Sequence, residues 1–157
     1  MTDASFADGG EKPLRLVARD SEDLKVISSL LQDAVFPGEE MLWKASDRRF
    51  AILLNRFRWE DKPAAERRGR DFERVQAVLA FEDVTGVASQ GVVKDPDIVL
   101  SLLTIEFEAE EDGTGAVILT LAGDGAIRVE VEALEVLLRD VTRPYRAPSR
   151  KAPEHDV

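Results

Sequence analysis

Between Asn55 and Arg74 lie Arg56, Arg58, Lys62, Arg67, Arg68, Arg70 and Arg74, seven positive charges beside five negative ones, with Trp59 among them. Planar guanidinium forks next to an aromatic ring can clamp a phosphate or a carboxylate, or stack on a base. Arg56, Arg58, Trp59, Arg67, Arg68 and Arg70 are therefore the candidate partner- or anion-binding residues. The competing reading is structural: an exposed loop whose Arg and Asp/Glu side chains pair with one another, with Trp59 capping the end of a strand. A further basic run, Arg143, Arg146, Arg150 and Lys151, contains no acid. If folding sets the two runs side by side, an anionic partner becomes credible.

Other chemistry finds little support. The chain has no cysteine, which removes disulfides, thiolate nucleophiles, iron–sulfur clusters and the usual structural zinc sites. Its single histidine, His155, stands third from the C-terminus, where a triad or metal cage has nothing to build on. Ser89, in Gly86-Val87-Ala88-Ser89-Gln90-Gly91, has the wrong spacing for a nucleophile elbow. Gly113-Thr114-Gly115 and Gly123-Asp124-Gly125 lack the rest of a phosphate loop and suit hairpin turns. Glu106, Glu108, Glu110, Glu111 and Asp112 could collect a hard cation, but their spacing reads as a solvated strand face running into a turn. Asp95-Pro96-Asp97 reads as a turn opener rather than an acid/base pair. No catalytic residue, metal ligand or cofactor is expected.

The elements that position these residues follow from the apolar pattern. With 157 residues, 44% of them apolar, and a net charge of −10, the chain suits one domain; ~150 residues hide roughly 70% of their unfolded surface. No run reaches the ~20 apolar residues that cross a bilayer, and the N-terminus lacks a signal-peptide layout, so a cytoplasmic location is expected. Residues 1–13 and 142–157 read as flexible tails around a single domain at 14–141. Leu14, Leu16 and Ala18 open a strand. Asp20 or Ser21 caps a helix whose stripe of Leu24, Ile27, Leu30, Leu31 and Ala34 carries it to about Val35. From Met41 the period becomes two. Phe50, Ile52 and Leu54 on one face and Ala51, Leu53 and Phe57 on the other predict a central strand. Val75–Phe81 and, more weakly, Gly86–Val93 give further strands. Leu103, Ile105 and Phe107 alternate with Thr104, Glu106 and Glu108 in a half-buried strand, and Asp112-Gly113 and Asp124-Gly125 make it the first of a three-strand meander through Val117–Leu121 and Ile127–Val131. Residues 133–141 fit either a closing helix or a strand displaced by a bulge at Ala133, the strand being slightly favoured; Leu138 is core in both. The fold class is α+β: a mainly antiparallel, twisted or partly closed sheet of six to eight strands with one helix from the N-terminal region packed on it.

The stretch from Trp43 through Arg48-Arg49-Phe50 and Asn55-Arg56-Phe57-Arg58-Trp59-Glu60, preceded by Leu31-Gln32-Asp33-Ala34-Val35, resembles a bacterial family known as domain of unknown function 2948. The likeness is strongest from Leu14 to Glu60 and continues through Gly123-Asp124-Gly125-Ala126-Ile127-Arg128 to Arg143-Pro144-Tyr145. It implies a single-domain bacterial protein and transfers no site.

Three functions remain. A non-enzymatic cytosolic interaction module leads, with an unknown protein partner or a homodimer whose seam uses Trp43, Phe50, Phe57 and Trp59. A small-anion or RNA-phosphate binder using the Arg/Trp segment comes next; the acidic balance argues against a surface that coats nucleic acid, yet leaves a local contact open. An enzyme relying on Asp, Glu, Lys and Ser alone is the weakest. No membrane partner is expected.

Overall fold

The computed structural model describes residues 13–92 and 95–146. Among these, in chain order, are β1 (Arg15–Ala18), α1 (Ser21–Leu30), β2 (Val35–Pro37), β3 (Met41–Lys44), β4 (Arg49–Phe57), α2 (Lys62–Arg68), β5 (Glu73–Phe81), β6 (Val84–Gln90), β7 (Val99–Ala109), β8 (Gly115–Leu121), β9 (Ala126–Val131), β10 (Val136–Asp140) and β11 (Tyr145–Arg146). Every pairing is antiparallel, in one open sheet ordered β1-β10-β5-β4-β2-β7-β8-β9-β6, with β3 on β4 and β11 on β5. The fold is thus more sheet-dominated than the α+β expectation, with eleven strands among the described residues instead of six to eight.

Alternation builds the core. Phe50, Ile52 and Leu54 of β4, Ala77, Leu79 and Phe81 of β5, Val117, Leu119 and Leu121 of β8, and Ile127, Val129 and Val131 of β9 all turn into one cluster. Burying each large apolar side chain contributes roughly 1.5–3 kcal/mol. The expected meander is present as β7-β8-β9, and β4 is central, flanked by β5 on one side and by β2 and β3 on the other.

Helix α1 begins as the sequence requires. Asp20 is its N-cap, accepting from the Asp23 amide at 2.8 Å, and Leu24 and Ile27 face the core. It stops at Leu30 instead of continuing to Val35, because the sheet offers the chain better partners. The Asp33 amide donates to the Leu102 carbonyl at 2.8 Å, and the Leu102 amide returns a bond of the same length to the Ala34 carbonyl. Asp33 takes a left-handed turn at φ 66°, which an Asp tolerates better than most residues, and β2 follows between β4 and β7.

Two further segments depart from the expected pattern. A register shift between Leu102 and Thr104 makes Leu100, Leu102 and Ile105 the buried series of β7 and leaves Leu103 and Phe107 half-buried; a bulge adds one residue and flips the alternation beyond it. The Ile105 amide, beside the bulge, donates to Ser28 Oγ at 2.9 Å and pins α1 to the strand. Within residues 133–141, Val136–Asp140 is a strand rather than a helix, but not through a bulge. The chain leaves β9, turns, and re-enters the sheet as β10 between β1 and β5, with Leu138 fully buried. The sheet also continues beyond Val141, since Tyr145 and Arg146 pair with Arg74 and Glu73. The remaining tail residues, including His155, Arg150 and Lys151, lie outside the described residues.

Candidate functional site

Arg56 continues the inward series Phe50, Ile52, Leu54 of β4 by one more step of two, and it is fully buried. A guanidinium in such a place must have each of its five N–H groups satisfied. Its Nε and Nη2 donate to the two carboxylate oxygens of Asp140, each at 3.0 Å. Its Nη1 and Nη2 donate to Glu60 at 2.9 and 2.8 Å, and Nη1 also reaches the Phe57 carbonyl at 3.3 Å. Five donors meet five acceptors, all from the protein. The short 3₁₀ turn Trp59–Asp61 doubles the chain back after β4 and presents Glu60 to the residue four positions earlier. Asp140 is the last residue of β10; it accepts from the Leu14 amide at 3.3 Å and its own amide donates to the Leu14 carbonyl at 3.0 Å, which ties the start of β1 to the same point.

Charge reinforces this geometry. Burial alone pushes the Arg56 pKa down, but its hydrogen bonds to Glu60 and Asp140 outweigh that and hold the guanidinium protonated above its ordinary value. For Glu60 burial pulls upward, and the bonds and charge of Arg56 prevail to hold it below the ordinary carboxylate value.

The neighbouring arginines join the network. Arg58, with its side chain 14% exposed, pairs with Glu73 and lies 3.7 Å from Glu60 and 3.8 Å from Asp61. Arg70 grips both oxygens of Asp61 at 2.7 and 2.6 Å, and this bond holds Asp61 below its ordinary value. Trp59 Nε1 donates to the Gln32 carbonyl at 3.0 Å, while its ring packs edge-on against Phe57 at 4.7 Å. Arg56, Arg58, Trp59 and Arg70 are thus brought together, as a packed ionic and aromatic hub. Arg67 and Arg68 stand apart, exposed on the last turn of α2, where basic residues complement the helix dipole. Their segment is a helix and not the loop expected, capped by Gly69 at φ 63°. Pro63 near the start and Gly69 just after the end are ordinary helix boundary signals that the density of charge obscured.

The described part of the second basic run meets the first. Pairing of β11 with β5 places Arg146 3.6 Å from Asp71 and Tyr145 in a hydrogen bond with Asn55, alongside the turn that follows α2.

A different surface carried no charge signal, and sequence reasoning reached it only through Trp43 and Phe50 as dimer-seam aromatics. Among the described residues, strands β3 and β6 each have one paired edge and one free edge. The turn after β3 meets the start of β6 where the Val84 amide donates to the Arg48 carbonyl at 2.9 Å. Beyond that point a cavity of about 140 Å³ opens between the two strands, with Phe50, Ile127, Met41, Trp43, Val87 and Ser89 in its lining. Trp43 is 37% and its neighbour Leu42 62% exposed. Of the four aromatics considered for a dimer seam, Phe50 and Phe57 are buried, Trp59 is half-buried, and only Trp43 is exposed.

Residues 14–155 match the family described as protein of unknown function, DUF2948. The chain belongs to the DUF2948 family. It matches no curated protein and no solved structure.

In this DUF2948 domain the remaining sequence candidates have structural surroundings. Ser89 lies on β6, exposed at the cavity, and no histidine stands among the described residues. Glu106 and Glu108 point to solvent from β7, Glu108 3.4 Å from Arg128. Asp112 accepts from the Thr114 amide and hydroxyl at 3.1 and 2.6 Å within its turn, and Asp95 accepts from the Asp97 amide at 2.9 Å in another. Among the described residues no group of three or more His, Asp or Glu is placed to hold a metal, and no helix is long and apolar enough to cross a membrane.

Proposed function

We propose that this domain is a cytosolic, non-enzymatic protein-interaction module whose docking face is the seam between β3 and β6. The observation that carries this reading is Trp43, exposed at the cavity beside two strand edges that are unpaired among the described residues. A large aromatic at the mouth of an apolar cavity is the kind of side chain that dominates binding energy at interfaces, and unpaired strand edges supply backbone donors and acceptors. The test is purification from native cytosol, with and without nuclease, of the wild-type chain and of Trp43→Ala and Ser89→Phe, both at the cavity. A stoichiometric protein that survives nuclease, and is lost from both variants, supports the module. A partner retained by both variants contradicts this face.

The pairing of β11 with β5, which sets Arg146 beside the turn after α2, favours another reading, in which a phosphate-bearing ligand contacts the exposed Arg67, Arg68, Arg143 and Arg146. Arg56 takes no part in it, because its donors are satisfied within the protein. Binding of this kind weakens as salt rises and is lost in the double variant Arg67→Ala with Arg68→Ala while the fold is kept.

A further inference from the structure

We propose that the seam receives an extended peptide segment, which adds as a strand to the free edge of β6, seats one apolar side chain in the cavity and carries Lys or Arg beside that anchor. This rests on the interaction reading above and specifies the partner's chemistry. Three observations carry it.

The first is an unguarded edge. Strands at the margin of a sheet are commonly protected by charged residues, proline or a bulge. Here β1 carries Arg15 and β3 carries Lys44, whereas β6 from Gly86 to Gln90 reads Gly-Val-Ala-Ser-Gln, without charge or proline. Its one irregularity lies between Val84 and Gly86, so the residues that follow keep a regular edge. Among the described residues no backbone bond reaches Gly86–Gln90 other than those to β9.

The next is the cavity. At about 140 Å³, with Phe50, Ile127, Met41, Trp43 and Val87 in its lining, it matches one Leu or Phe side chain; a dry space of about 150 Å³ accepts a benzene-sized group. Because side chains of a strand alternate between faces, an added strand presents such an anchor while its immediate neighbours point away.

The third is charge. Arg48 and Arg49 at the closed end are paired with Glu132 and Glu82, and Lys44 with Asp47. Glu39 and Glu40, on the turn leading directly into Met41, are exposed and make no ion pair among the described residues. The approach to Met41 is therefore negative, and it selects a basic neighbour for the anchor. A further copy of the chain pairing β6 on β6 supplies neither a large anchor nor a basic residue.

Selection of displayed random dodecapeptides on the intact chain tests this. The expected enrichment is for sequences with one Leu, Ile or Phe and nearby Lys or Arg. Their binding should fall at least tenfold on Trp43→Ala, on Ser89→Phe, which fills the cavity, and on Glu39→Gln combined with Glu40→Gln. Thermal unfolding identifies any variant that has lost its fold, and the exposed Glu39/Glu40 pair keeps the test independent of core packing. No enrichment, acidic peptides, or peptides indifferent to all of these substitutions overturn the proposal. Sedimentation showing a dimer that Ser89→Phe splits also overturns it, in favour of self-association. If displayed peptides fail while a cytosolic protein is still captured and lost in Trp43→Ala, the module reading stands and only the strand-addition mode falls.

Discussion

At its C-terminal end β4 buries a charged residue and satisfies every donor on it. At its N-terminal end the same strand borders an apolar cavity with free strand edges on either side. The C-terminal region is conspicuous in sequence and closed in space; the N-terminal region is plain in sequence and open. What separates them is whether a group's bonding capacity is already met by the fold. A charge that meets two carboxylates is a structural part, however conspicuous its composition, while a neutral strand without a neighbour retains a full row of unmet hydrogen bonds.

The comparison can be broken most forcefully at Arg56. Arg56→Met leaves the buried Asp140 without its counter-charge and Glu60 with only Arg58 at 3.7 Å, so urea unfolding should show a loss of about 3–5 kcal/mol. Adding Glu60→Gln and Asp140→Asn to that variant should recover much of the loss, since removing all the charges together costs far less than removing one. A loss below about 1 kcal/mol for Arg56→Met sets aside the structural role argued for the hub.

Acid is a milder way to reach the same region. The folded-state pKa values of Glu60 and Asp61 lie below their ordinary values of 4.5 and 3.8. Groups depressed in this way stabilise the fold at pH above their unfolded values, and that contribution disappears as pH falls through the folded ones. The urea midpoint should therefore hold down to about pH 5 and decline below the ordinary carboxylate range. Glu60→Gln should start from a lower midpoint and show a shallower acid decline; an identical acid slope contradicts the assignment.

Smaller effects are expected at the seam. Trp43→Ala should change stability by about 1 kcal/mol and yet abolish partner capture, whereas Leu42→Lys, on the opposite face of β3, should change it by no more than about 0.5 kcal/mol, as is usual for an exposed site, and leave capture intact. The smallest belongs to Arg67→Ala with Arg68→Ala, which should leave both stability and protein partner within error. Loss of the protein partner from that pair, with Trp43→Ala unaffected, reverses the comparison.

Much of the fold was legible because it depends on short-range pattern. Asp20 caps α1 where a cap was required, and the alternation in β4, β5, β8 and β9 places their core residues correctly. The end of α1 was not, because the bonds that stop it come from Leu102, far along the chain. The bulge in β7 is hidden for a related reason: Leu103 is apolar in either register, and only the pairing with β8 decides which face it takes. At the candidate site, Arg56 had a local clue, since it extends the series Phe50, Ile52, Leu54 by one step. Glu60 was also within reach, four residues on, but Asp140 lies 84 residues away and no spacing rule connects them. At the seam Trp43 and Phe50 were marked as interface aromatics, but the free edge of β6 left no signal, because an uncharged strand reads the same whether its outer edge is paired or free.

Amide hydrogen exchange of the intact chain, alone and with the protein that copurifies from cytosol, tests the central claim most directly, since it reports which backbone groups gain partners. The account predicts new protection in 41–44 and 84–90 and none in 62–70. Protection confined to 62–70 and 143–146, with β3 and β6 unchanged, would contradict it.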